Sequence, residues 1–149
     1  MSYKFRGLTF DEFKVGDVHE TASRTLTEAD VVSFAGISGD FNPLHTNEEF
    51  GKKLPFGGRI AHGMLVASVA TGLANQLGIF EGTSLAVLGM EISWPAPTKF
   101  GDTIRLVLTV TEMKESSKGD KGVITYRAEV KNQRDETVMD GNWKVLMRK

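Results

Sequence analysis

The second half of the chain alternates. Leu88, Met90, Ile92 and Trp94 recur every second residue, as do Ile104, Leu106, Leu108 and Val110, and then Ile124, Tyr126, Ala128 and Val130. A fourth series runs Met139, Trp143, Val145 and Met147, with Gly141 in the same phase. A period of two puts every second side chain on one face, so each series predicts a strand with one buried side. The breaks are turn-like: Pro95 to Asp102, Ser116 to Gly122 and Asn132 to Glu136. Connections this short predict that the strands are antiparallel neighbours.

The first half reads differently. Two short hydrophobic clusters, Phe5 to Phe13 and Val15 to Val18, flank a turn at Gly16-Asp17, and His19 to Leu26 predicts a first strand. Thr27-Glu28-Ala29-Asp30 predicts a helix start, because Thr27 can accept the Asp30 N–H and the acids suit the positive helix end. Val31, Val32, Phe34, Ala35 and Ile37 continue it, and Gly36 and Gly39 weaken its far end. A loop follows from Ser38 to His45, then a short helix from Asn47 to Lys53 and a Pro/Gly loop from Leu54 to Ile60. Ala61 to Gly78 predicts a long helix without a charged residue, and a helix apolar on all sides must be surrounded. Its small residues, Gly63, Ala67, Ser68, Ala70, Gly72 and Ala74, permit close approach. Together the elements predict an α+β fold in which a curved antiparallel sheet wraps one apolar helix. Such packing leaves little internal room, so a ligand site belongs at the helix end or a subunit boundary.

Length and composition narrow the class. The chain has 149 residues, which fits one domain over 1–149. A hydrophobic fraction of 40% with 25% charged residues reads as globular and soluble. The formal net charge of -1 lacks the basic footprint of a nucleic-acid binder. There is no cysteine, which excludes a disulfide framework, a thiolate zinc site and a cysteine nucleophile, and suits a cytoplasmic setting. The start, MSYKFRGLTFDEF, carries no signal-like apolar run, and Met64 to Leu77 is too short and too polar to span a membrane. His19, His45 and His62 are dispersed in sequence and show no metal-ligand spacing, so no metal is expected.

The densest reactive cluster is Ser38-Gly39-Asp40-Phe41-Asn42-Pro43-Leu44-His45. Pro43 fixes its own φ and pushes Asn42 out of the helical region, which bends the loop and brings Asp40 toward His45. A carboxylate and an imidazole converging on one point can hold a water and move its protons. Composition alone supports a second reading, since Asp and Asn beside Gly and Pro form turns by bonding their own backbone. The second piece is Gly58-Arg59-Ile60-Ala61-His62-Gly63-Met64, leading into the apolar helix. Free N–H groups at a helix start suit an oxygen that gains negative charge. Gly63 either admits a substrate to the backbone or serves helix packing alone, and His62 reads equally as a satisfied histidine at a helix start.

Phe34-Ala35, SGDFNPLH at 38 to 45 and AHGM at 61 to 64 resemble the MaoC-like dehydratase family, which includes the (R)-specific enoyl-CoA hydratases and has the hotdog fold. The similarity runs from about Phe10 to the C-terminus. The resemblance implies that Asp40 and His45 form a catalytic pair holding the attacking water. It also implies that Asn42 shapes the loop and contacts the site, and that the Gly63 N–H binds the thioester carbonyl. Thr71 falls where relatives often carry a serine that supports the aspartate, and its extra methyl departs from that pattern. His62 matches the motif and joins the substrate-binding set. The implied reaction is syn hydration of a trans-2-enoyl thioester of CoA or a carrier protein, giving an (R)-3-hydroxyacyl thioester without an organic cofactor. A hotdog thioesterase and a non-catalytic acyl-thioester-binding subunit are the alternatives. The resemblance further implies a homodimer or a higher even-numbered assembly; from the charge and the apolar pattern no nucleic-acid or membrane partner is expected. Lys52, Lys53 and Arg59 read as solvated surface charge or as phosphate contacts. Trp94 and Trp143 lie on apolar strand phases and are expected in the core or an interface.

Overall fold

Six strands form one antiparallel sheet in the computed structural model, which describes residues 2–149. In chain order the elements are β1 (Val18–Glu20), β2 (Arg24–Thr25), α1 (Glu28–Ser38), α2 (Pro43–Thr46), α3 (Glu48–Gly51), α4 (Gly63–Gln76), β3 (Ser84–Ser93), β4 (Thr103–Glu115), β5 (Lys121–Lys131) and β6 (Thr137–Arg148). A 3-10 turn at Phe10–Glu12 precedes them and drives the Phe10 ring against Gly122 of β5. The spatial order is β1-β4-β5-β6-β3, with β2 beside β4. Helix α4 lies across the inner face on β4 and β6. The expected α+β arrangement of one curved sheet around one long apolar helix is what forms.

Three of the four alternating series bury one face as expected. Ile104, Leu106, Leu108 and Val110, then Ile124, Tyr126, Ala128 and Val130, are all buried, as are Met139, Trp143, Val145 and Met147. Each such aliphatic side chain removed from water contributes about 1.5–3 kcal/mol before conformational entropy is counted. On β6 the strict alternation slips, since Val138 and Met139 are both buried next to a bulge in the β5–β6 ladder.

Strand β3 corrects the sequence reading twice. It pairs with β6 and not with β4, although only Trp94–Asp102 separates it from β4. Three strand spacings are about 14 Å, and nine extended residues reach about 30 Å, so a short connection does not force adjacency. Its expected buried face is largely uncovered: Leu88 is 55% exposed and Met90 37%, and only Ile92 packs partly against the core; Leu85 and Val87, on the other phase, are exposed as well. β3 is the sheet edge, it carries bulges at Ser84/Ala86 and Val87/Gly89, and α4 packs on β4 and β6 instead. Trp94 lies just beyond the strand and is 43% exposed, whereas Trp143 is in the core.

The single strand expected over His19–Leu26 is two. The pairing register with β4 slips by one residue between Glu20–Val107 and Arg24–Ile104. Thr21 fills that bulge, where its hydroxyl accepts the Leu106 N–H and its own N–H reaches the Leu106 carbonyl. Helix α1 begins as expected, with a capping box in which Thr27 accepts from Asp30 N and the Asp30 carboxylate accepts from Thr27 N at 2.9 Å. The expected Asn47–Lys53 helix shortens to α3, capped by the Asn47 side chain on Phe50 N. Helix α4 is two residues shorter at each end than expected. Leu65, Val66, Ala67, Val69, Ala70, Leu73 and Ala74 face the core, but Met64, Ser68, Thr71, Gly72 and Asn75 leave one stripe exposed. The helix is therefore not surrounded within one chain. Among the described residues no helix is long and apolar enough to cross a membrane.

Candidate active site

The segment after α1 is bent by four local devices. Gly39 takes the left-handed conformation at φ 77° and ends α1. Ser38 Oγ donates to Phe34 O at 2.7 Å and accepts the Asp40 N–H. One Asp40 carboxylate oxygen, Oδ1, accepts the Asn42 N–H at 3.2 Å. Asn42 is non-helical, at φ -52° and ψ 133°, and Pro43 occupies the first turn of α2. The stretch expected to be loop thus contains one helical turn, and His45 sits on it. Turn chemistry and convergence are both present: the turn is what aims the two side chains.

His45 is buried, and its Nδ1 lies 2.7 Å from the Ile60 carbonyl oxygen. A carbonyl only accepts, so in the neutral imidazole Nδ1 carries the hydrogen and Nε2 presents a lone pair. That Nε2 faces Asp40 Oδ2 at 4.0 Å. The Asp40 side chain is half-exposed, open to what enters from solvent. His62 lies beneath both, its Nε2 2.9 Å from the Asp40 carbonyl oxygen and its ring stacked on His45 with centroids 3.8 Å apart.

Helix α4 starts at Gly63, directly after His62. Among the described residues no acceptor takes the Gly63 N–H, as expected for the first turn of a helix. Two clefts meet here. One, of about 390 Å³, is walled by Leu44, Phe56, Ile60, Val66, Trp94 and Pro95; the other, of about 350 Å³, by Phe34, Ser38, Asp40, His62 and Met64. His45 and Gly63 line both. The space that a glycine leaves at position 63 is already taken: a Cβ there would lie 2.6 Å from the Trp94 ring, whose Nε1 donates to Gly63 O at 3.1 Å. Packing against Trp94 therefore explains the glycine.

The structure brings Asp40, His45, His62 and Gly63 together. It does not bring Asn42 or Thr71 into the clefts. The Asn42 side chain caps α2 by accepting the Leu44 N–H, which is its expected loop-shaping role. Thr71 donates to Ser68 O and lines a separate apolar hollow of about 240 Å³ with Asn75, Val87, Met90 and Trp143. Eight residues of helix put it about 12 Å along the axis from Gly63. Among the described residues its hydroxyl makes no hydrogen bond to Asp40.

The histidines are not all dispersed in space. Asp40, His45 and His62 each offer a ligand atom within 4.8 Å of the others, while His19 stays apart on β1 against Phe13. The two imidazoles lie stacked at only 28° to each other, so their in-plane lone pairs do not converge on one ion. Arg59 is committed, pairing with Glu28 at 2.7 Å and Glu48 at 2.6 Å and lying over the Phe100 ring. These acids hold its guanidinium pKa above the usual arginine value, first through the Glu48 and then the Glu28 hydrogen bond. Lys52 pairs with Glu49 on the surface. Sequence reasoning missed the Ile60 carbonyl, which as a backbone group leaves no trace in residue identity. It also missed Ser38, whose hydroxyl two residues before an aspartate was a readable signal for a side-chain-locked turn.

This fold is found elsewhere. Residues 12–132 match the family model described as the MaoC like domain, and the chain belongs to that MaoC-like dehydratase family. Its solved structural relatives have the hotdog fold, and so does this chain. An (R)-specific enoyl-CoA hydratase of Rhodospirillum rubrum is 34% identical over 119 residues, 79% of this chain and 77% of that protein. A 3-hydroxybutyryl-CoA dehydratase of Methylorubrum extorquens is 30% identical over 138 residues, 93% of this chain and 83% of that protein. The X-ray structure of a monoamine oxidase regulatory protein from Archaeoglobus superposes with a TM-score of 0.89 at 38% identity, covering 96% of this chain and 95% of that one.

Proposed function

We propose that this chain, as one domain over 1–149, is an enoyl-thioester hydratase that adds water syn across trans-2-enoyl-CoA to give (R)-3-hydroxyacyl-CoA, and catalyses the reverse dehydration. The observation that carries this is the 4.0 Å gap between Asp40 Oδ2 and His45 Nε2. Both atoms are acceptors. A water about 2.8 Å from each donates one hydrogen to either side and turns a lone pair into the cleft. With the hydrogen of the neutral His45 ring held at Ile60, Nε2 is left as an acceptor.

The steps balance on one water. The enoyl C1 oxygen accepts the Gly63 N–H at the positive end of α4. The water oxygen bonds to C3 as Asp40 takes one of its protons, and the π electrons move through C2 onto the C1 oxygen. The proton then passes to C2 through the Asp40–His45 pair on the same face, which makes the addition syn. The second water hydrogen stays on the new hydroxyl. The thioester itself acidifies C2, so the scheme needs no organic cofactor or metal. The relatives named for hydration and dehydration of CoA thioesters support this reading, at identities of 34% and 30%.

A homodimer is part of the same proposal. The apolar side chains of β3 lie exposed on a free sheet edge, next to the uncovered stripe of α4. A second copy that joins edge to edge covers both.

The test is incubation with a series of trans-2-enoyl-CoA thioesters, following loss of the conjugated enoyl absorbance with chiral analysis of the product. Formation of (R)-3-hydroxyacyl-CoA is expected. Release of free CoA without a hydroxyacyl product would replace this reading with thioester hydrolysis.

A further inference from the structure

Between the two reacting side chains and the helix that supplies the amide stands one residue that the reaction scheme does not use. His62 is 2% exposed and touches all three. Its Nε2 bonds the Asp40 carbonyl oxygen at 2.9 Å. Its ring stacks on His45 at 3.8 Å, with Phe34 on it at 5.0 Å. Its backbone leads directly into Gly63. We infer that His62 is a positioning residue that fixes the carboxylate, the imidazole and the amide relative to one another.

Two further observations favour this over a role in helix stability. His62 occupies the N-cap of α4, where Ser, Thr, Asp or Asn would bond the first-turn amides, and its side chain makes no such bond. The position forgoes about 1 kcal/mol of helix capping in favour of a ring turned toward the dyad. Its Nδ1 is also buried with no partner among the described residues, a cost that a hydrophobic residue of the same shape would avoid. A residue kept for packing alone would not carry that nitrogen.

The geometry separates two contributions. The Nε2–H fixes where the Asp40 backbone sits and hence where its carboxylate points. The ring face fixes the tilt of His45 about its own bond to Ile60 O. Gln places an amide N–H near the position of Nε2 and retains the first link without the second. Phe keeps the stack and loses the bond. Ala loses both. This inference rests on the proposed hydration, and a displacement of about 1 Å at a reacting group costs about 100-fold in rate.

The experiment measures kcat and KM for enoyl-CoA hydration in wild type and in His62→Ala, His62→Gln and His62→Phe, with melting temperature and the imidazole ¹⁵N signals of His45. His62→Ala is expected to lower kcat about 100-fold with KM within about threefold of wild type. Gln and Phe are each expected to recover part of that loss. The ¹⁵N pattern of His45 is expected to change from one Nδ1–H tautomer to a mixture in His62→Ala, whether or not the protein is a hydratase. A kcat of His62→Ala within about twofold of wild type overturns the inference. So does a His45 signal unchanged by His62→Ala, or a kcat loss that neither Gln nor Phe relieves and that tracks melting temperature. An inactive wild type whose His45 tautomer still depends on His62 overturns the hydration reading and leaves the positioning role in place.

Discussion

His45 turns its lone-pair nitrogen, not its N–H, toward the Asp40 carboxylate across 4.0 Å, because the hydrogen is held on the opposite side by the Ile60 carbonyl. Two acceptors that face each other without a shared hydrogen are a site for a donor. Water supplies two. Asp40→Asn replaces one acceptor oxygen with a donor, and His45→Ala removes the other acceptor. Each is expected to lower kcat/KM by about 10²–10⁴ with the fold intact. The double variant is expected to be little worse than the worse single one, since the two act on the same water. Steady-state rates with circular dichroism check this, and wild-type rates in both single variants would sink the assignment.

Gly63 and Trp94 make a second prediction. A methyl group at position 63 meets the indole ring at 2.6 Å, so the ring must move out of the cleft it walls. Gly63→Ala is expected to shift the Trp fluorescence and to lower activity by about 10-fold or more, because the amide beside it loses its fixed orientation. Adding Trp94→Ala to Gly63→Ala is expected to remove the clash and recover part of the stability. If Gly63→Ala leaves both fluorescence and rate as in wild type, the glycine has another cause.

The loop and the strands were readable for different reasons. Asn42-Pro43 states its geometry in its residue types, so the bend that joins Asp40 to His45 follows from the chain itself. The alternation of β4, β5 and β6 reports burial on one face, and those faces are buried. On β3 the same period misled, because the sequence shows which positions are apolar but not what covers them. Position Thr71 shows the matching limit. The family resemblance implied a partner for Asp40 there, yet a straight helix carries it away from Gly63 at 1.5 Å per residue. The Ile60 carbonyl and the contacts of His62 were hidden because contacts between segments fifteen or more residues apart leave no local pattern.

The uncovered edge makes the assembly testable. Leu85, Val87, Leu88 and Met90 lie exposed on a strand with one free side, an arrangement that invites pairing with another chain. Sedimentation at micromolar concentration is expected to give a dimer or an even multiple. Val87→Lys with Leu88→Glu is expected to shift it toward monomer. A wild-type monomer under these conditions contradicts the proposal.

Arg59 is predicted to act on stability, not on the affinity for a phosphate group. Its side chain is 16% exposed and is held by Glu28 at the start of α1 and Glu48 in α3. Arg59→Ala leaves both acids without their partner and is expected to cost about 1–3 kcal/mol by urea unfolding. Arg59→Lys recovers only part, since an ammonium cannot hold two carboxylates in the plane of a fork. A variant of unchanged stability with a raised KM for CoA thioesters would return Arg59 to the phosphate-binding role.

Tyr126 carries a buried hydroxyl with no hydrogen-bond partner among the described residues. Its ring is wedged between Phe13 and Phe80, both edge-on. Burial pushes its pKa well above the usual tyrosine value, so the folded protein keeps the phenol proton where the unfolded chain releases it. The sign follows. Above about pH 10 the unfolded state binds fewer protons than the folded state, and stability falls as pH rises. Below that pH the group contributes no slope. Tyr126→Phe removes the unpaired hydroxyl and the ionisation together. It is expected to be as stable as wild type or about 1 kcal/mol more so at neutral pH. It is also expected to lose stability less steeply than wild type between about pH 10 and 11. Urea midpoints across that range decide it: a destabilisation at neutral pH, or an unchanged alkaline slope, would mean that the hydroxyl has a partner.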